Sequence, residues 1–239
     1  MQQTVQEHKL KIIKIIDEAP DTKTYRMEIP DGIKLDYFPG QFFMVRFNDN
    51  LKLQRAYSVA SSPEQKNYIE ITMNLVGEFT KKLWESKVND FLIFKGPFGK
   101  FYFNDEINNN VILIGGGLGV TPLMSLIRYC KDKNLPNKVN LIYSVKTPEE
   151  IVYNDELKQI KEKNQNFNYT ITITRPQPEQ NWSGKTGRID LELIKQNIDN
   201  VENSIYYLCG PLEFVKSSIA MLESLGATKE QIKTDVWGE

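Results

Sequence analysis

The chain is poor in the residues that hold metals or build acid–base triads. Its 239 residues include one histidine, His8, and two cysteines, Cys130 and Cys209. Two distant cysteines supply neither a four-cysteine zinc site nor the four thiolates of an iron–sulfur cluster. A single histidine argues against a histidine-based zinc site and against a Ser-His-Asp triad, so His8 is read as a surface residue. An excess of charge is missing as well: 30 basic residues face 31 acidic ones, for a net charge of −1. Residues 1–106 balance by themselves, with 15 of each sign. Nucleic acid is not expected as a partner, because backbone binding needs a basic excess or stripe. No apolar run approaches the ~18 residues that span a bilayer. The opening MQQTVQEHKL lacks the basic-then-apolar order of a secretory signal. A cytoplasmic location without a membrane partner is the resulting expectation. What is present, 40% hydrophobic and 26% charged residues, is ordinary globular composition at a length fit for one large or two modest domains. Chemistry in such a chain calls for a borrowed cofactor.

The hydrophobic rhythm changes once along the chain. Segments 9–19, 24–30, 41–47, 55–61, 68–75 and 90–96 are rich in β-branched and aromatic residues. Pro30-Asp31-Gly32, Pro39-Gly40 and Ser61-Ser62-Pro63 punctuate them. Short strands at this spacing predict an antiparallel barrel or sandwich. One short helix interrupts them over 78–87, with Phe79, Leu83 and Trp84 on one side. The polar stretch 104–110 marks the boundary, dividing the chain into 1–106 and 107–239. Beyond it, apolar strands at 111–115, 139–145, 168–175, 204–210 and 231–237 alternate with helices at 120–133, 152–163, 190–197 and 212–225. Alternating strands and helices predict a parallel sheet covered on both faces.

Four motifs carry candidate chemistry. Gly115-Gly116-Gly117-Leu118-Gly119-Val120-Thr121-Pro122 follows an apolar strand and opens a helix. Glycines there let the backbone turn sharply and approach a pyrophosphate, which free N–H groups and the helix dipole favour. Proline suits the first helical turn, where its missing N–H would be unpaired in any case. The plain counterpart is a tight strand–helix turn without a ligand. Arg55-Ala56-Tyr57-Ser58 sits in a strand whose alternation puts Arg55 and Tyr57 on one face and Ser58 on the other. A guanidinium beside an aromatic ring suits a phosphate and a flat ring together, although exposed Arg-x-Tyr pairs are common. Gly77-Glu78-Phe79-Thr80 reads as a helix cap or as a second phosphate cradle. Cys209-Gly210-Pro211 ends an apolar strand at the carboxyl edge, where α/β sheets bind ligands. Packing alone also accounts for a buried cysteine.

The order of these motifs, with Gly96-Pro97-Phe98-Gly99 between them, resembles the ferredoxin–NADP⁺ reductase family over essentially the whole chain. The resemblance implies an FAD-binding antiparallel β-barrel domain (1–106) followed by an NAD(P)-binding α/β parallel-sheet domain (107–239). By the same resemblance, Arg55 serves the flavin phosphate, Tyr57 lies against the isoalloxazine and Ser58 stands near its N5, while Gly77 and Thr80 hold the FAD pyrophosphate. Gly117, Gly119, Thr121 and Pro122 fall in the nucleotide turn, and Cys209 and Gly210 match the pair beside the nicotinamide. Many relatives end in Glu-x-aromatic; here the end is Asp235-Val236-Trp237-Gly238-Glu239. Asp235 is thus a candidate for proton exchange, and Trp237 either covers the flavin or packs at the strand end.

The strand ending Ser144-Val145-Lys146 has no acid of the kind that grips an NAD ribose. Arg175 and Arg188, with Lys146 and Lys185 near, match positions that hold the 2′-phosphate in NADPH-using relatives. Surface cations would look the same. The expectation is an FAD-dependent ferredoxin–NAD(P)⁺ reductase-like enzyme, NADPH favoured over NADH. Its external one-electron partner would be a ferredoxin, a flavodoxin or an oxygenase component, with Lys81, Lys82 and Lys87 as a docking cluster. The alternatives are a free-flavin reductase and the electron-entry subunit of a larger redox complex.

Overall fold

A computed structural model describes residues 3–237, with the side chains of Leu51 and Trp237 outside the description. The chain divides into two compact units. The first comprises residues up to Asn104 together with Met124–Lys133; the second comprises Asp105–Leu123 and the chain from Asn134 onward.

The first unit is built from β1 (Gln6–Ala19), β2 (Thr22–Glu28), β3 (Phe42–Phe47), β4 (Asn50–Ser58), β5 (Tyr68–Asn74) and β6 (Phe91–Phe98), with α1 (Glu78–Trp84) between the last two. The strands run in the order β4-β3-β6-β1-β2-β5, and each pairing is antiparallel. The two end strands meet where Val59 bridges Ile71 and the Ala60 N–H donates to the Glu70 carbonyl at 2.8 Å. That seam closes the sheet into a barrel. Period-two alternation directs one side of each strand inward: on β3, Phe43, Val45 and Phe47 are buried while their neighbours are half-exposed. Phe79 and Leu83 of α1 join this core, and burying each contributes about 1.5–3 kcal/mol. The Tyr25 hydroxyl donates to the Leu83 carbonyl at 2.7 Å, tying the last turn of α1 to β2.

The second unit contains β7 (Asn110–Gly116), the start of α2 (Val120–Asp132), β8 (Val139–Val145), α3 (Asn154–Lys163), β9 (Phe167–Ile173), β10 (Lys185–Thr186), α4 (Leu191–Gln196), β11 (Ser204–Pro211), α5 (Leu212–Ser224) and β12 (Ile232–Trp237). The order is β10-β9-β8-β7-β11-β12, parallel throughout. Val111–Ile114 and nearly all of β8 and β11 are buried, as strands covered on both faces must be. The order reverses at β7, which has β8 on one side and β11 on the other, so the switch point falls between the carboxyl ends of β7 and β11.

Three details depart from the sequence expectations. β1 starts at Gln6 and β4 at Asn50, earlier than expected, because backbone pairing continues through polar residues that carry no apolar signal. β10 pairs only Lys185 and Thr186 with β9, too short a run to show periodicity. His8, expected at the surface, is half-buried on β1 opposite Phe94.

Candidate functional site

Within the barrel, register sets the candidate flavin strand. Tyr57 lies opposite Phe43 and Arg55 opposite Val45, so the two share a face, while Ser58 pairs with Phe42 on the other. The Tyr57 ring rests 5.6 Å from that of Phe79, bringing β4 and the start of α1 together. Burial pushes the Tyr57 phenol well above its ordinary pKa, so it stays neutral. Arg55 is exposed, and one of its guanidinium nitrogens donates to the Gln54 carbonyl at 2.8 Å. The remaining donors suit a phosphate. At the turn into α1, the Thr80 hydroxyl accepts from the Val76 and Gly77 N–H groups, both at 2.9 Å, and donates to the Gly77 carbonyl at 3.0 Å. Its bonding capacity is spent on shaping the turn. A Cβ placed on Gly77 would meet nothing within 4 Å, which leaves room for a close-lying pyrophosphate. Cationic donor, aromatic face and the open glycine turn shaped by Thr80 fit FAD.

In the second unit, a turn of 3₁₀ helix (Gly117–Gly119) joins β7 to α2. Gly117 has φ +55° and open space where a side chain would sit. At Gly119 a Cβ would overlap the carbonyl of Cys209, so only glycine lets this turn lie against β11. Thr121 and Pro122 follow in the first turn of α2. The Thr121 Oγ1 is buried, in a residue 4% exposed, and has no hydrogen-bond partner. Leaving such a hydroxyl unpaired costs roughly 1–3 kcal/mol, and a ligand oxygen at the turn would remove that cost. The orphaned hydroxyl and the open glycine fit a dinucleotide pyrophosphate.

Register places Cys209 beside Gly115 on one side and Asp235 on the other. The thiol is 1% exposed, with its Sγ 3.9 Å from the Asp235 Oδ2. Burial raises the Asp235 pKa, against a smaller lowering by the Cys209 thiol. The switch point therefore gathers Gly117, Gly119, Thr121, Pro122, Cys209, Gly210 and Asp235. It does not gather Arg175 and Arg188, which follow β9 and β10 towards one edge of the sheet. Both are exposed, as are Lys146 and Lys185; Lys146 lies 4.0 Å from Glu150. Trp237 closes β12 opposite Pro211, but its side chain falls outside the described residues. Sequence reasoning misses Phe214 in the first turn of α5. Its Cδ1 would be 3.1 Å from a Cβ on Gly116 and 2.8 Å from one on Gly210, so one ring roofs both glycines. The only signal is an aromatic residue shortly after Cys-Gly-Pro.

A closed antiparallel barrel with a flavin-type strand, followed by a parallel sheet with a glycine turn at its switch point, defines a two-domain flavin- and nicotinamide-nucleotide oxidoreductase. The chain belongs to the ferredoxin–NADP⁺ reductase family: residues 9–103 match the oxidoreductase FAD-binding domain and residues 113–219 the oxidoreductase NAD-binding domain. Among curated proteins it is similar to a subunit of the Na(+)-translocating NADH-quinone reductase of Haemophilus ducreyi, 31% identical over 241 residues, covering 93% of this chain and 58% of that protein. The corresponding subunit from Serratia proteamaculans is 30% identical, with 95% and 59% covered. The chain thus spans under two thirds of these relatives. Its fold matches a ferredoxin NADP⁺ reductase from Neisseria gonorrhoeae with bound FAD and NADP (TM-score 0.80, 24% identity, 96% and 98% covered). It also matches the flavohem-like FAD/NAD-binding domain of nitric oxide dioxygenase from Vibrio cholerae (TM-score 0.85, 22% identity, 97% and 98% covered).

Proposed function

We propose that the chain is the electron-entry component of a larger redox system, taking reducing equivalents from NADH and delivering them to a carrier beyond these 239 residues. The similarity to NADH-quinone reductase subunits supports this reading over the free-standing NADPH–ferredoxin reductase expected from the motifs. Lys146 and Arg175 are exposed and adjacent, the Arg175 N–H donating to the Lys146 carbonyl at 2.8 Å, and a 2′-phosphate would also suit them, so the choice of NADH rests on that similarity. The pairing of Cys209 with Asp235 beside the glycine turn is the observation that carries the activity.

FAD supplies the chemistry when bound, accepting two electrons together and releasing them singly. Arg55 neutralises phosphate charge, Tyr57 offers an aromatic face, Ser58 supplies a hydroxyl, and Gly77 with the Thr80-shaped turn admits the flavin pyrophosphate. Gly117, Gly119, Thr121 and Pro122 form the nucleotide turn. Cys209 and Gly210 hold the nicotinamide end, and Asp235 takes up or returns a proton at its carboxylate. Rate comes mainly from fixing donor and acceptor groups in place. A cytoplasmic location suits a chain fed by NADH, and no helix among the described residues is long and apolar enough to cross a membrane.

Steady-state kinetics of the FAD-loaded chain with a one-electron dye test this reading. NADH should support turnover with at least about tenfold higher kcat/KM than NADPH, the size of one lost or gained charged contact. Turnover that persists after FAD is removed, or a preference for NADPH, overturns it.

A further inference from the structure

The barrel closes at a thin seam. β4 and β5 are the two end strands of the sheet, and the Val59–Ile71 bridge with the Ala60–Glu70 hydrogen bond is what joins them in backbone pairing. That seam begins one residue beyond Ser58. Against it lies the segment Met124–Lys133 of α2, which groups with the barrel unit. Ser125 donates through its hydroxyl to the Ser61 carbonyl at 2.6 Å. Arg128 donates to the Ala60 carbonyl at 2.9 Å and to the Glu70 carboxylate at 2.7 Å.

Glu70 is the pivot. Its side chain is 1% exposed, a burial that a carboxylate tolerates only when paired and hydrogen-bonded. Arg26 takes Oε1 through two nitrogens at 2.8 Å, and Arg128 takes Oε2. The Glu70 N–H donates to the Ser61 Oγ at 3.0 Å, so seam backbone, buried acid and helix form one network.

We infer that Arg128 and Ser125 are positioning residues for flavin binding: they clamp residues 59–61 to β5 and so hold the end of β4 that carries Tyr57 and Ser58. The inference rests on the flavin role proposed for that strand. Without the Arg128 guanidinium, Glu70 keeps Arg26 as its charge partner among the described residues, and the Ala60 carbonyl loses its helix donor. A strand end in its binding geometry for a tenth of the time raises the apparent Kd about tenfold.

The test titrates the apoprotein with FAD, following fluorescence quenching, alongside apoprotein Tm and the visible circular dichroism of bound flavin. Arg128→Met should raise the FAD Kd about tenfold and alter the flavin dichroism, with Arg128→Lys recovering part of both. Ser125→Ala removes one hydroxyl only and should raise Kd about threefold at nearly unchanged Tm. If Arg128→Met does not fold, Ser125→Ala decides. Lowered Tm with unchanged Kd and dichroism makes the clamp purely structural and overturns the inference. Unchanged Kd in Ser125→Ala overturns it too. Failure of the wild-type chain to bind FAD overturns the flavin reading itself, and loss of binding in Arg55→Ala but not in the clamp variants overturns only the clamp.

Discussion

Two opposed effects meet at the Asp235 carboxyl: burial disfavours its charge, and the neighbouring Cys209 thiol favours it less strongly. Burial wins, so the folded-state pKa lies above the unfolded one. The stability this group contributes is then fully present below the unfolded pKa and is lost as pH rises through the raised folded pKa. Asp235→Asn abolishes the titration. Its unfolding free energy relative to wild type should therefore rise across that acidic window and level off above it. Chemical denaturation at a series of pH values checks this; a difference that does not vary with pH would refute it. At Cys209 the expectation concerns rate. Cys209→Ala should slow reduction of bound flavin by NADH by about tenfold in stopped flow, since small losses of positioning have large kinetic effects, while FAD remains bound. An unchanged rate would reduce Cys209 to packing. Residues of this kind are legible in the sequence because their motif neighbours are adjacent in the chain. Phe214 and Glu70 are not, because the roles of both depend on partners brought close only by packing.

At the scale of elements, the nucleotide turn separates two reasons for glycine. Gly117 needs glycine for its φ of +55° and has open space around it, whereas Gly119 needs it because the backbone of β11 occupies the position of a Cβ. Gly117→Ala should cost about 1–2 kcal/mol of stability, the penalty of a left-handed residue. Gly119→Ala should cost about 1–3 kcal/mol from overpacking and, unlike Gly117→Ala, should displace Cys209. Thermal denaturation together with the flavin-reduction rate distinguishes them: equal effects of both substitutions on that rate would remove the contact argument. The same contrast explains how far the elements can be read from the chain alone. Strand β8 is expected over 139–145 and is found at Val139–Val145, since an apolar run bounded by polar turns marks its own limits. The grouping of Met124–Lys133 with the barrel has no such signal. Leu123, Leu126 and Ile127 make α2 amphipathic, but periodicity does not say which unit an apolar face will cover.

For the whole molecule, the scarcity of cysteine limits where electrons can rest. Cys130 and Cys209 are both buried and neither is in a disulfide, and no group of three or more histidine, cysteine or acidic side chains among the described residues is placed to hold a metal ion. On the function proposed above, the bound flavin would be the two-electron store from which electrons leave the chain. Two observations bear on how they leave. The charges of the chain nearly cancel, so long-range steering of a charged carrier would have to come from a local patch. Of the expected docking cluster, Lys82 is already held by Asp49, with both carboxylate oxygens at 2.8 Å, while Lys81 and Lys87 are exposed. For the proposed carrier the expectation is then an encounter with weak dependence on salt. Anaerobic titration should take up one NADH per bound FAD and no more. Turnover with a physiological carrier should change by less than about threefold between 50 and 200 mM salt, where a strongly steered encounter would fall steeply. Uptake of further equivalents would reveal a second redox centre in the chain, and a steep loss of rate with salt would restore the lysine patch as the docking site.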